Sequence, residues 1–138
     1  MTPVLADAGF LVAVYNKRER YHRVCTEVYQ SLDQPLVTCE PVLTESLHLL
    51  RSTPGAGDAL LASVEEGILE IPFRLSESTA AIRKIMKKYR DLQADFADAC
   101  LIHMADELGT GDILTLDSDF RHYRWRRNKS FRLLVPLG

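Results

Sequence analysis

The chain has 138 residues, 46% hydrophobic and 26% charged, with a formal net charge of −2. That composition is globular rather than disordered, and the length can close a core without disulfide staples. No apolar run approaches the roughly 18 residues of a membrane span, and the start, MTPVLADAGFLVAVYNKRER, has no basic stretch ahead of its apolar part, so neither a membrane anchor nor a secretory leader is expected.

In chain order, residues 3–7 (PVLAD) are a short apolar run ending in an acid, a first strand, and residues 9–16 a short helix. After a charged turn, residues 23–32 carry Val24, Val28 and Leu32 at helical spacing. Residues 35–39 read as a second strand bounded by Pro35. Residues 40–52 read as a helix with Glu40 and Pro41 in its first turn, where an acid and a proline are favoured. The break over residues 53–57 (TPGAG) joins it to a helix over 58–67 that Gly67 closes. A strand over 68–73 follows. Then comes a helix over 76–91, which Ser76 can cap and whose apolar stripe is Ile82, Ile85, Met86 and Tyr89. Residues 95–109 form a further helix ending at Gly109, and strands over 112–117 and 131–137 complete the chain. The alternation predicts one α/β domain over residues 1–138 with a mainly parallel sheet. Such sheets place their sites at the carboxyl ends of strands, near a topological switch point. If the strand order is 3-2-1-4-5, the first and fourth strands are neighbours, and Asp7 and Asp117 at their ends meet.

Cys25, Cys39 and Cys100 are widely spaced and make no C-x-x-C. They read as small buried apolar residues in a reducing cytoplasm. The net charge hides two basic segments. Residues 83–90 hold Arg83, Lys84, Lys87, Lys88 and Arg90, and residues 121–132 hold Arg121, Arg124, Arg126, Arg127, Lys129 and Arg132, with no acid in either.

Four acids stand where chemistry is plausible: Asp7, Glu45, Asp98 and Asp117. Asp7 and Asp117 follow apolar strands, Glu45 lies between Leu43 and Leu47, and Asp98 lies between Ala97 and Ala99. Each also has a plain structural role open to it. Asp7 can cap the first helix, Asp98 can sit at N3 behind an Asp95 cap, Asp117 can open an Asx-turn, and Glu45 can face solvent. If the four converge, two unit charges ~5 Å apart repel by roughly 3 kcal/mol at an effective dielectric near 20. The cluster then holds protons or binds a cation. An all-carboxylate donor set suits Mg²⁺ or Mn²⁺, and these ions serve phosphodiester hydrolysis without a side-chain nucleophile.

Competing chemistries fit poorly. Glu45 and His48 make a single Glu-x-x-His, whereas a di-iron bundle needs two and an all-helical fold. The histidines otherwise read as structural, with His122 a candidate RNA contact. A haloacid-dehalogenase-like phosphatase wants D-x-D after the first strand, where Asp7-Ala8-Gly9 stands; a receiver wants an acid at the end of the third strand, where Ile71-Pro72-Phe73 stands.

VLADAGFLVAVYN, VTCEPVLTESLHLL, KKYRDLQADFADACLIHMADELGTGDILTLDSDFRHYR and FRLLVPL together resemble the PIN-domain nucleases, and within them the VapC-like toxins. The resemblance covers nearly the whole length. Its most specific part runs from Asp95 to Phe120, with D-F-A-D-A, A-D-E-L-G and L-T-L-D-S-D-F in unbroken order. It implies a three-layer α/β/α fold on a parallel five-stranded sheet and Mg²⁺- or Mn²⁺-dependent cleavage of RNA. The family's acids fall on Asp7, Glu45, Asp98 and Asp117. Asp95 and Asp119 become candidate water-mediated ligands, and Thr115 a hydroxyl that orients a carboxylate. Ala8 departs from the Thr or Ser of many relatives. The resemblance further implies a homodimer and, in toxin–antitoxin pairs, a small antitoxin protein. The alternative is a PIN-like module that binds RNA or a regulator without cutting.

RHYRWRRNK begins just after the Asp117 turn. Its Arg121, Arg124, Arg126, Arg127 and Lys129 can attract phosphate, and Tyr123 and Trp125 can stack on unpaired bases. Expected RNA contacts are Arg121, Arg124, Trp125, Arg126 and Arg127. Solvation is the plainer role for the 83–90 run.

Overall fold

The computed structural model describes residues 2–136. The elements are β1 (Val4–Ala6), α1 (Ala8–Tyr15), α2 (His22–Ser31), β2 (Leu36–Val37), α3 (Glu40–Leu49), α4 (Ala56–Glu65), β3 (Leu69–Glu70), α5 (Thr79–Lys88), α6 (Phe96–Leu108), β4 (Asp112–Leu114), β5 (Arg124–Trp125), β6 (Lys129–Ser130) and β7 (Arg132–Leu133). The main sheet has the order β3-β2-β1-β4-β7, all parallel. This is the expected 3-2-1-4-5 order, with β7 as its fifth member. The end of the last expected strand, at Leu137, lies outside the described residues.

The order follows from burial and connection length. β1 is the central strand and is wholly buried, with Leu5 opposite Val37 on one side and Ile113 on the other. The chain passes from β1 to β2 to β3 in one direction, then back across β1 to β4, and parallel connections of this kind are as a rule right-handed. Accordingly α1 packs on α2, α3 and α4, and α5 packs on α6. The direction reverses between β1 and β4, so the switch point lies there. Helix α6 fills the middle of its layer. Every residue from Ala97 to Met104 is buried, as expected of a helix that is apolar nearly all round. Each large side chain it buries, such as Leu101 or Ile102, contributes about 1.5–3 kcal/mol.

The helix ends follow local chemistry. Asp7 and Asp95 cap α1 and α6. Gly67 and Gly109 take left-handed φ of +78° and +69° just past α4 and α6. Ser76 does not cap α5. Residues 75–77 form a 3-10 turn instead, and the Ser78 N–H that a Ser76 hydroxyl would accept is already donated to the Leu75 carbonyl at 2.9 Å. The helix expected over 76–91 therefore shortens to Thr79–Lys88, with a second 3-10 turn over Arg90–Leu92.

The β5–β6 hairpin was not legible in the sequence. Arg124 pairs with Ser130 and Trp125 with Lys129, around a turn in which Arg126 and Arg127 hold φ of 41° and 73°. Hairpin turns of this kind announce themselves through Gly or Asn, and here arginines occupy the left-handed positions. Trp125 anchors the hairpin over Gly111, where a Cβ would lie 2.0 Å from the indole nitrogen. Cys25, Cys39 and Cys100 are free and buried, as expected. Among the described residues no helix is long and apolar enough to cross a membrane.

Candidate active site

The switch point gathers acids from three elements. Asp7 follows β1 with extended backbone, φ −98° and ψ 164°, and its own N–H is held by the Leu114 carbonyl of β4 at 3.0 Å. Its Oδ1 accepts the Ala8 N–H at 2.7 Å and its Oδ2 accepts the Thr115 hydroxyl at 3.0 Å. Thr115 is fully buried, and its Oγ1 also accepts the Asp117 N–H at 3.0 Å. One hydroxyl thus ties together the acids that end two neighbouring strands. Asp117 uses Oδ1 to accept the Asp119 N–H at 2.9 Å, the Asx-turn that its sequence position suggests.

Asp98 enters from the first turn of α6. It forms a capping box with Asp95: the Asp98 N–H donates to Asp95 Oδ1 at 2.8 Å, and the Asp95 N–H reaches Asp98 Oδ2 at 3.4 Å. The same Oδ2 accepts the Tyr123 hydroxyl at 3.2 Å. The capping role and the site role coexist, because a cap commits only part of a carboxylate.

One carboxylate oxygen from each of Asp7, Asp98 and Asp117 lies within 4.8 Å of the other two. Glu45 stands apart from this trio on the exposed face of α3, yet it lines the same cavity of about 280 Å³, together with Asp95, Ala8, Gly9 and Leu116. Asp119 is half-buried on the turn behind Asp117 and does not line the cavity. A wider apolar groove of about 800 Å³ adjoins it, shares Glu45 and Asp95, and runs past Pro41, Phe73 and Phe96.

Burial and mutual repulsion disfavour charge here. Burial pushes the Asp7 carboxyl up to about 6; Glu45 and Asp117 add to the rise, and the Ala8 and Thr115 hydrogen bonds oppose it. Burial, then the charges of Asp95 and Asp7, push Asp98 up to about 7. Glu45 is raised by partial burial and by Asp95 and Asp117. Oxygen donors this close, this acidic and this costly to charge fit a hard divalent cation, whose charge offsets their repulsion.

Sequence reasoning missed the role of Tyr123. Taken there as a base-stacking aromatic, it is fully buried, packs between Tyr89 and Phe120, and supports Asp98. Its neighbours are the exposed His122 and the half-buried Arg124, and no local pattern marks it as facing inward. Trp125 is half-buried, donates to the Ser130 carbonyl at 3.1 Å, and carries Lys129 Nζ 4.9 Å from its ring. Arg126 donates from Nε to the Asp106 carbonyl at 3.2 Å, and Arg124 donates to the carbonyls of Arg121 and Tyr123. Arg121 and Arg127 are exposed. Of the histidines, His22 is bonded to the Ala13 carbonyl at 2.7 Å and His103 to Glu107 at 3.0 Å, which are structural contacts.

The PIN domain family model matches residues 4–126 of the chain. The chain belongs to the PIN domain family. Its relatives include Ribonuclease VapC26 of Mycobacterium tuberculosis, which is 30% identical over 138 residues, 98% of this chain and 94% of that protein. The crystal structure of Mycobacterium tuberculosis VapC20, a sarcin–ricin loop cleaving toxin, superposes with a TM-score of 0.77 at 19% identity, over 84% of this chain and 91% of that one. That likeness bears on the fold, and it agrees with the five-stranded parallel PIN sheet described above.

Proposed function

We propose that this PIN-domain chain is an endoribonuclease that hydrolyses RNA phosphodiester bonds with Mg²⁺ or Mn²⁺, and that it is the toxin of a type II toxin–antitoxin pair. The observation that carries the reading is the convergence of Asp7, Asp98 and Asp117 at the switch point, with oxygens within 4.8 Å of one another. The name of the VapC26 relative supports ribonuclease activity.

In this reading Asp7, Asp98 and Asp117 hold the cation, and Glu45 completes the set from the cavity rim. A bound divalent cation supplies charge neutralisation, polarises a phosphate oxygen and acidifies water. The protein's own groups do the positioning. Thr115 fixes the Asp7 carboxylate and the Asp117 backbone, and Tyr123 and the Asp95 cap fix Asp98. Asp95, which lines the cavity, would hold water around the ion, whereas Asp119 lies behind Asp117 and outside the cavity. A homodimer and a small antitoxin protein in the cytoplasm are the expected partners, and size-exclusion chromatography with light scattering tests the first.

Purified protein should cut RNA with Mg²⁺ or Mn²⁺ and not in excess EDTA, and Asp98→Asn should remove the activity while leaving a cooperative melt. Undiminished cutting by Asp98→Asn, or cutting in EDTA, would overturn the reading. RNA binding without cleavage across several metals would favour the non-catalytic module.

A further inference from the structure

The two basic segments, far apart in sequence, meet in space. The Tyr89 hydroxyl, just past α5, accepts the Arg124 N–H of β5 at 2.9 Å. The Tyr89 ring packs edge-on against Tyr123, with centroids 5.0 Å apart, and Lys88 Nζ lies 5.1 Å from the Tyr89 ring centroid. Tyr123 in turn bonds to Asp98 in the acidic site. The cations at the end of α5 and those of the turn after Asp117 therefore flank one aromatic pair whose inner member touches the site. The chain path agrees. Arg90 opens the 3-10 turn that leads to Asp95, and Arg121 closes the one that Asp117 opens.

Apart from Lys88 over the Tyr89 ring, these cations make no charge-pairing contact among the described residues. Lys84, Lys87, Lys88, Arg90 and Arg121 are exposed, and none lies within ion-pair distance of an acid among the described residues. Arg23, Arg74 and Arg132, by contrast, each pair with a carboxylate. Lys84, Lys87 and Lys88 share one helix face at i, i+3 and i+4. α5 itself contains no acid; Glu77 precedes it and Asp91 follows it. Its inward face is apolar, with Ile82 buried and Ile85 and Met86 packed on the core.

We propose that Lys84, Lys87, Lys88, Arg90 and Arg121 form one track that holds the phosphodiester backbone of RNA alongside the acidic site. The inference rests on the nuclease reading for what the site does, but its own readout is binding. A polyanion approaching a cluster of carboxylates is repelled, and cations placed within a Debye length of about 8 Å along its path offset that repulsion. A lipid surface fits less well, because the exposed face of α5 carries no large apolar side chain to insert.

The test uses the Asp98→Asn chain, so that RNA survives the titration. A labelled single-stranded RNA is titrated by fluorescence anisotropy across a series of salt concentrations. Combining Lys84→Gln, Lys87→Gln and Lys88→Gln should weaken binding about 10-fold or more at low salt and lower the slope of log K against log salt by about 2, from three lost contacts to a single strand. The control is Lys17→Gln, Arg18→Gln and Arg20→Gln, which makes the same change in net charge. Its residues lie in the loop after α1, about 12 Å from Asp7 by helix rise, and it should leave the slope in place. An unchanged slope in the α5 variant overturns the track, and so does equal weakening by the control. Binding of poly-glutamate or of phosphatidylserine vesicles that the α5 variant abolishes, with RNA binding intact, also overturns it. If RNA binding is lost as expected but the native chain cuts no RNA with any divalent metal, the track stands and the nuclease reading falls.

Discussion

Thr115 is the residue on which the acidic site is hung. Its hydroxyl donates to Asp7 and accepts from the Asp117 N–H, so a single buried oxygen sets the spacing of two acids from neighbouring strands. Thr115→Val keeps the shape and deletes both bonds. It should cost about 1–3 kcal/mol in urea denaturation, because a buried N–H and a carboxylate oxygen lose their partners. It should also weaken Mn²⁺ binding by about 10–100-fold, the usual consequence of losing a group that orients a ligand. A calorimetric titration giving unaltered Mn²⁺ affinity would refute that role. Asp7, Asp98 and Asp117 were each legible in the sequence as an acid after a strand or in a helix's first turn, and so was Thr115. Tyr123 was not, since a tyrosine between His122 and Arg124 in a basic segment gives no sign of which way it faces.

At the scale of elements, the unforeseen piece is the β5–β6 hairpin. It is docked by Trp125 lying over Gly111 and by the Arg126 N–H on Asp106 of α6. Gly111→Ala places a methyl carbon where the indole nitrogen sits, 2.0 Å away, so the ring or the strand must move. The expected cost is about 1–3 kcal/mol, typical of overpacking. The fluorescence of the chain's one tryptophan should shift toward that of an exposed indole. A spectrum and melt indistinguishable from the native chain would show that Trp125 does not anchor the hairpin. The longer elements were legible because hydrophobic periodicity and caps are local. The hairpin was not, because its strands are two residues each and its turn has arginine where the local signal would be glycine.

For the whole molecule, the acids couple folding to pH and, on the metal-dependent reading proposed above, to a cation. Asp7 and Asp98 have folded-state pKa values of about 6 and about 7, above the 3.8 of an unperturbed aspartate. The folded protein therefore keeps protons that the unfolded chain releases. Their effect is a loss of stability as pH rises from near 4 to near 7, complete above that range. For Asp7, nearly fully buried, the shift from 3.8 to about 6 corresponds to roughly 3 kcal/mol. Chelated protein should melt lower at pH 8 than at pH 5, and added Mn²⁺ should raise the melting temperature more at pH 8, where its ligands are ionised. Equal Mn²⁺ stabilisation at both pH values would contradict a site built on these carboxylates.

The sequence by itself determined the alternation of strands and helices, the acids at the strand ends, the Asp95 cap and the glycine helix stops. All of these follow from periodicity of burial or from backbone chemistry within a few residues. Only the tertiary structure decided that three of the acids stand within 4.8 Å while Glu45 stays at the rim. It also decided that Tyr123 serves Asp98 and that the two basic runs meet at Tyr89 and Arg124. The physical reason is that apolar patterning tells that a side chain is buried, whereas its partner is set by how strands and helices remote in sequence pack around the central β1–β4 pair.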